Sequence, residues 1–346
     1  MPEPSLEVVV EGPWTLDDII TRQLFERQGS WPQSVDEVLL QIALAERPPV
    51  PLGFELADTW AWSRYRWAFD LGGEMRLRPQ WSSVAASEKR VLSDEVAAGI
   101  TTAFLAAKLG MRAYGDVSAV LQSLGVSDAG PQAGRFICLL QGRRVAVISI
   151  RGGQTSRLAV SRAAAALVAR PRTKAFVDHG SGGAFALCFG VYIPPASSQE
   201  QAALLIREDP KSPVANHGLL GADPGLVRGA VAQVFLAKHL ALVGLPELAG
   251  TVAQQPIGEG RPLPLDLRRR VERSLGHGAL SGGSVQVGPR LVAGSPESTL
   301  RCSFSWSREL LGSLLRASNL RDFYVDLGER CFTDEWQRGR QGHRST

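Results

Sequence analysis

The sequence predicts an α/β or α+β protein in which a mixed sheet is flanked by helices. The segment RFICLLQGRRVAVISIRGG reads as two strands about a tight Gln141–Gly142 turn, with Val145 to Ile150 as the core strand. A helical stretch, TSRLAVSRAAAALVAR, and another strand, AFALCFGVYIPP, follow it. Strands alternating with helices in this way bury the apolar face of each helix against a sheet. With 346 residues, 44% of them hydrophobic, the chain is long enough to form two or three units around a sizeable core.

Residues 1–85 form a Trp-rich α+β unit, holding Trp14, Trp31, Trp60, Trp62, Trp67 and Trp81 of the eight tryptophans. LEVVVEG is expected to be a strand. TLDDIITRQLFERQG is expected to be a helix capped by Thr15, with Asp17 and Asp18 placed favourably in its first turn. SVDEVLLQIALAERPP reads as a second helix stopped by Pro48 and Pro49. TWAWSRYRWAFDLGGEMRLR alternates aromatic and polar residues about Gly72–Gly73 as a hairpin does, and its aromatics interleave with Arg64 and Arg66.

Residues 86–215 form the middle unit. SDEVAAGITTAFLAAKLG predicts a helix capped by Ser93, opened by Asp94 and Glu95 and ended by Gly110, with Val96, Ile100, Phe104 and Ala107 on one face. Residues 216–346 form a C-terminal α+β unit with a basic tail. It opens on a helix, DPGLVRGAVAQVFLAKHLALVG, in which His239 reads as a core histidine, and GTVAQQPIGEGRPLPL follows as a linker. LDLRRRVERSLG is a short basic helix with Arg268, Arg269, Arg270 and Arg273. SVQVGPRLV and STLRCSFSW read as strands, SRELLGSLLRAS as a helix, and WQRGRQGHRST as a disordered tail.

Composition excludes several classes. The apolar fraction is too high for wholesale disorder. Cys138, Cys188, Cys302 and Cys331 are far apart and form no CxxC pair, which disfavours a disulfide scaffold or a Cys-rich zinc site. No run of 18 apolar residues occurs, so no membrane span is expected. MPEPSLEVVVEGPW lacks the cationic and apolar regions of a signal peptide, and a cytoplasmic location is the expectation. The chain has no GxxxxGK[ST] loop, no GxGxxG after a strand, no GxSxG elbow and no metal-ligand spacing among its five histidines. Neither a cofactor nor a metal is therefore expected. DHGSGG, Asp178 to Gly183, gathers an acid, an imidazole and a hydroxyl, but a triad converges through the fold rather than along the chain, and a loop explains the same residues.

The net charge is +4, and 33 of the 38 cationic residues are arginine. Arginine forks suit phosphates and carboxylates. A GC-rich genome produces the same bias.

The middle unit runs from a helix with acids through a strand, a turn and a strand ending in a charged residue and glycine, to a second helix. That order resembles the core of the PD-(D/E)xK nuclease superfamily, across about 80 residues. The resemblance implies a restriction-endonuclease-like core with N- and C-terminal additions. In that superfamily an Asp and a Glu hold Mg²⁺ through oxygen ligands, and a Lys orients the attacking water. Here the Asp position falls on Arg135, the Glu position on Ser149 and the Lys position on Arg151, so only Glu95 or Asp94 survives among the acids. A guanidinium at 135 repels a metal, and Arg151 cannot serve as a base. The core is thus expected to be catalytically inactive.

What the resemblance leaves is an arginine surface of Arg143, Arg144, Arg151, Arg157 and Arg162, able to contact phosphates without cleaving them. The expected role is a non-catalytic, DNA-binding or scaffold component of a bacterial nucleic-acid-processing or defence assembly, with protein partner subunits and no membrane. Two alternatives stand beside it. One is a metal-dependent nuclease with a relocated site built on Glu95, Asp116 and Asp128. The other is a protein-interaction subunit working through the Trp-rich N-terminal unit.

Overall fold

The structure is a computed structural model, and it describes residues 5–11, 22, 24, 26–33, 35–46, 64–70, 75–125, 135–141, 144–168, 184–208, 223–242, 245–275, 284–286 and 305–330. In chain order these residues form β1 (Ser5–Glu11), β2 (Gly29–Pro32), α1 (Val35–Ala45), β3 (Phe69–Asp70), β4 (Arg76–Leu77), α2 (Ala86–Lys108), β5 (Ala113–Asp116), α3 (Val117–Ser123), β6 (Phe136–Leu140) and β7 (Arg144–Gly153). They continue through α4 (Arg157–Val168), β8 (Ala184–Tyr192), β9 (Ala203–Glu208), α5 (Pro224–Leu242), α6 (Pro246–Gln254), α7 (Leu265–Leu275), β10 (Ser284–Gln286), β11 (Ser305–Ser307), α8 (Arg308–Arg316) and α9 (Leu320–Arg330). The architecture is α/β, with a seven-stranded mixed sheet flanked by helices.

The chain divides into two compact units. The first comprises Met1–Arg47, Trp60–Met111 and Pro131–Gly221, and the second Pro48–Thr59, Arg112–Gly130 and Ala222–Thr346. The boundary expected at residue 85 is therefore not a boundary between units. Strand β1 pairs parallel with β9, Val9 opposite Leu205, so the Trp-rich segment contributes to the same sheet as the middle segment. A pairing between residues some 200 positions apart leaves no mark in local patterning. The boundary expected at 215 lies outside the described residues.

Six strands of the main sheet belong to the first unit, in the order β2-β1-β9-β8-β7-β6. The expected hairpin is present, β6 running antiparallel to β7 with Phe136 opposite Ile148. Helix α4 then returns the chain so that β8 lies parallel to β7, Ser149 opposite Cys188. A parallel neighbour needs such a crossover, whereas an antiparallel one needs only a turn. Successive residues of a strand face opposite sides of the sheet. Accordingly Phe189 meets Phe104 of α2, with ring centroids 6.3 Å apart. The next residue, Gly190, faces α4, where a Cβ would lie 3.0 Å from Val160 and 3.3 Å from Ala164. The two helices thus cover opposite faces. On the α4 side Val160, Tyr192, Ala203 and Leu205 form a buried cluster with Val9 against it.

Helix α2 differs from expectation at its start. It begins at Ala86 behind Ala85, so Ser93 is not its cap, and Asp94 and Glu95 sit in its interior. Its end matches: Gly110 takes φ +59°, and the Leu109 and Met111 N–H groups both reach the Leu105 carbonyl. Helix α1 packs on α2 at Gly99, where the Val38 carbonyl leaves no room for a Cβ. The hairpin expected about Gly72–Gly73 is reduced to the two-residue pair β3–β4, because Arg66–Ala68 form a 3-10 turn instead of strand.

In the second unit the stretch read as a linker is partly helical, α6 closing with Gln254 and a 3-10 turn at Ile257–Glu259. A buried apolar face, Leu248 and Val252, holds it despite its polar, Pro-flanked sequence. His239 is buried on α5 with Nδ1 2.8 Å from the Phe235 carbonyl, as a core histidine. Of the two strands expected near the C-terminal end, Ser284–Gln286 and Ser305–Ser307 pair antiparallel. The helix expected over TLDDIITRQLFERQG has only scattered described positions. The DHGSGG segment and the basic tail lie outside the described residues. No helix among the described residues is long and apolar enough to cross a membrane.

Candidate nucleic-acid interface

The site is built where the far end of β7 leaves the sheet against α2. A Cβ on Gly152 would fall 1.9 Å from the Ser93 carbonyl oxygen, so only glycine lets strand and helix approach this closely. Asp94 fixes the contact: its Oδ1 accepts the Gly152 N–H at 2.9 Å, and its Oδ2 lies 3.3 Å from Nη1 of Arg151. One turn on, the Gln154 amide donates to the Ser93 hydroxyl at 3.1 Å.

The positions that the nuclease resemblance singles out have taken other work. Arg135 precedes β6; its guanidinium pairs with Glu46 and also donates to the Asp94 carbonyl at 3.1 Å. Ser149 is buried at 2% exposure in the middle of the sheet. Glu95 accepts the Tyr65 hydroxyl and lies 3.4 Å from Nε of Arg64. Burial first, and then the Glu95 carboxylate, push the Tyr65 phenol far above its ordinary value, so it stays protonated and donates. A divalent ion of the kind the family uses needs converging carboxylate oxygens. A guanidinium and a buried hydroxyl stand in their place, and these residues do not fit the ion.

Asp116 lies 4.0 Å from Lys238, and Asp128 is outside the described residues. Among the described residues no three His, Cys, Asp or Glu side chains gather.

Arg144 and Arg151 sit at opposite ends of β7, and seven residues of strand at ~3.3 Å each separate them by about 23 Å. Arg157 is held by Glu7 at 2.6 Å. Arg162 is exposed on α4, and Arg143 lies outside the described residues. In the second unit the basic helix α7 spends its cations locally: Arg268 on the Leu263 carbonyl, Arg270 on Asp266 and Glu247, Arg273 on the Arg269 carbonyl. Of the tryptophans, Trp31 and Trp81 are buried and Trp67 is 37% exposed; Trp14, Trp60 and Trp62 lie outside the described residues.

What the fold brings beside Arg151 instead is Arg78, Lys89 and Arg90. The four cations line one groove of 970 Å³, floored by Gly152 and Gly153 and edged by Pro195 to Ser197. Among the described residues no carboxylate lines it, and Asp94 is the acid just behind it. Lys89 donates to the Ser82 carbonyl at 2.8 Å and Arg78 to the Phe69 carbonyl at 2.7 Å, so main-chain oxygens orient both without cancelling their charge. Arg90 is exposed. Sequence reasoning missed these three, because Arg78 precedes a 3-10 turn at Pro79–Ser83 while Lys89 and Arg90 lie in the first turns of a helix expected to start later. The run RPQWSSVAASEKR, basic at both ends, was the available signal.

Compared with known proteins, the chain matches no family model, no curated protein and no solved structure.

Proposed function

We propose that the chain is a non-catalytic component of a bacterial nucleic-acid-processing or defence assembly, cytoplasmic, holding DNA by phosphate contacts through an inactivated nuclease-like core. The observation that carries this reading is the groove of four cations at the end of β7, with no carboxylate among its described lining residues. Such a surface attracts the phosphate backbone without reading sequence. Helix α2, the β6–β7 hairpin and α4 follow in the order the resemblance implies, with β5 and α3 inserted between α2 and β6, and this supports the nuclease-like part. The replaced acids support inactivity, since Arg135 and Ser149 offer a metal no carboxylate.

The test is one gel, with supercoiled plasmid and Mn²⁺ at low and at high salt. Retardation without nicking, weakening as salt rises, is the expected result. Metal-dependent nicking abolished by Glu95→Ala would move the assignment to a nuclease with a relocated site. A plasmid neither shifted nor cut would turn the search to protein partners.

A further inference from the structure

Beside the groove stands a tryptophan pair that phosphate contacts leave unused. Trp81 lines the groove itself, and the ring of Trp67 lies against it, centroids 5.8 Å apart and planes tilted by 32°. Their exposures differ: Trp81 is 4% exposed and Trp67 37%. A single apolar residue on a surface marks nothing by itself. What sets Trp67 apart is its attachment to the groove.

Trp67 sits on the 3-10 turn Arg66–Ala68, and a groove cation fastens that turn. The Arg78 N–H donates to the Ala68 carbonyl at 2.8 Å, and the Arg78 guanidinium donates to the Phe69 carbonyl at 2.7 Å. The aromatic ring and the charge thus belong to one clasp. Trp81 adds a further feature. Its indole Nε1–H is buried and has no hydrogen-bond partner among the described residues. A buried donor ordinarily has an acceptor. This one belongs to a residue that lines both the groove and a small cavity sharing Ser93, Gly153 and Gln154 with it. A phosphate oxygen or a base oxygen is an acceptor of that kind.

Cations hold the phosphates of paired and unpaired DNA alike. An aromatic ring does not treat the two alike. In a duplex each base is stacked on its neighbours, whereas an unpaired base is free to stack on a side chain, and it does so with little regard to sequence. We infer that the groove takes an unpaired stretch of DNA, its phosphates on Arg78, Lys89, Arg90 and Arg151 and one base against the open surface of Trp67. This rests on the DNA reading above and adds a base contact to it. Closed duplex still meets the cations, so plasmid retardation is expected as before. Only an unpaired base meets the tryptophan as well.

The full-length protein is titrated, by fluorescence anisotropy at fixed salt, into end-labelled 12-nucleotide DNAs. One is a base-bearing single strand, one the same backbone made abasic, and one the strand annealed to its complement. The base-bearing strand is expected to bind at least about fivefold more tightly than the abasic one, the lower end of what one stacked base contributes. Trp67→Phe should keep part of that ratio. Trp67→Leu, which keeps apolar bulk against Trp81 but has no ring, should bring it close to one, and both variants should leave duplex affinity unchanged. Lys89→Ala/Arg90→Ala should weaken binding of all the DNAs and leave the ratio nearly as it was. Equal binding of base-bearing and abasic strands by the wild type overturns the base contact and leaves the phosphate-holding reading standing. A ratio that survives Trp67→Leu overturns the assignment to Trp67. Failure to bind any of these DNAs or the plasmid overturns both readings.

Discussion

Asp94 and Gly152, 58 positions apart, are joined by a hydrogen bond of 2.9 Å from the Gly152 N–H to the Asp94 carboxylate. The other oxygen of that carboxylate holds Arg151. In an active core of the proposed nuclease-like kind an acid on this helix would serve a metal; in this chain it fastens the exit of β7 and moderates the charge of the groove. Substitution can separate the two roles. Asp94→Asn keeps an oxygen acceptor for Gly152 and removes the charge. It should leave the urea midpoint nearly unchanged and tighten plasmid binding. Asp94→Ala removes the acceptor as well and should cost about 1–2 kcal/mol, the carboxylate being partly exposed. Plasmid affinity unchanged in Asp94→Asn would mean that the carboxylate does not screen Arg151.

Gly152→Ala forces its new methyl against the Ser93 carbonyl, where backbone meets backbone and no flexible side chain can give way. A loss of about 3 kcal/mol or more is expected, measured by denaturant unfolding, since strand and helix must separate. Gly250→Ala is the control, because nothing lies within 4 Å of its added methyl and α6 gains a better helix former there. Equal losses in the two variants would contradict the close approach.

Tyr65 supplies a pH signature. Its phenol is raised in the folded protein, by burial first and then by Glu95. Below about pH 10 the phenol is protonated in both folded and unfolded chains, and its contribution is constant. Above that, the unfolded chain releases the proton while the folded one keeps it, so stability falls as pH rises. Tyr192 and Tyr324 are raised too, again by burial first, and contribute to the same decline. Urea midpoints between pH 9 and 11 should therefore drop more steeply in the wild type than in Tyr65→Phe. Parallel curves would remove Tyr65 from this account.

Ser149→Glu places a carboxylate where the nuclease resemblance expects one, on a strand residue that is 2% exposed. The carboxylate would be buried, and a loss of at least about 3 kcal/mol is expected, with no Mn²⁺-dependent nicking gained. A stable variant that cuts plasmid would show that the site had lost only its ligand.

Local chemistry made much of the fold legible. Strands β6, β7 and β8 carry continuous apolar runs, and α4 and α5 have long helical stretches, so their types could be read directly from the sequence. The start of α2 was hidden because Ala85 is a poor cap and Ser93–Asp94–Glu95 imitates a good one. Helix α9 went unread, its buried Leu320, Tyr324 and Leu327 spaced among charges. Arg151 was legible as part of the site because the strand–turn–strand pattern points to it. Arg78, Lys89 and Arg90 were not, since a groove assembled from three separated segments has no linear signature. Proximity along the chain also misled: Arg144 shares a strand with Arg151 but stands at its other end.

The most direct test of the central claim is the salt dependence of DNA affinity in the wild type and in Lys89→Ala/Arg90→Ala. The logarithm of the binding constant should fall linearly with the logarithm of salt concentration, by about 0.9 for each phosphate contacted in duplex DNA. Removing two groove cations should lower that slope by about two contacts while leaving the folded state intact. A slope unchanged in the variant, or affinity indifferent to salt, would contradict a phosphate-holding groove at the end of β7.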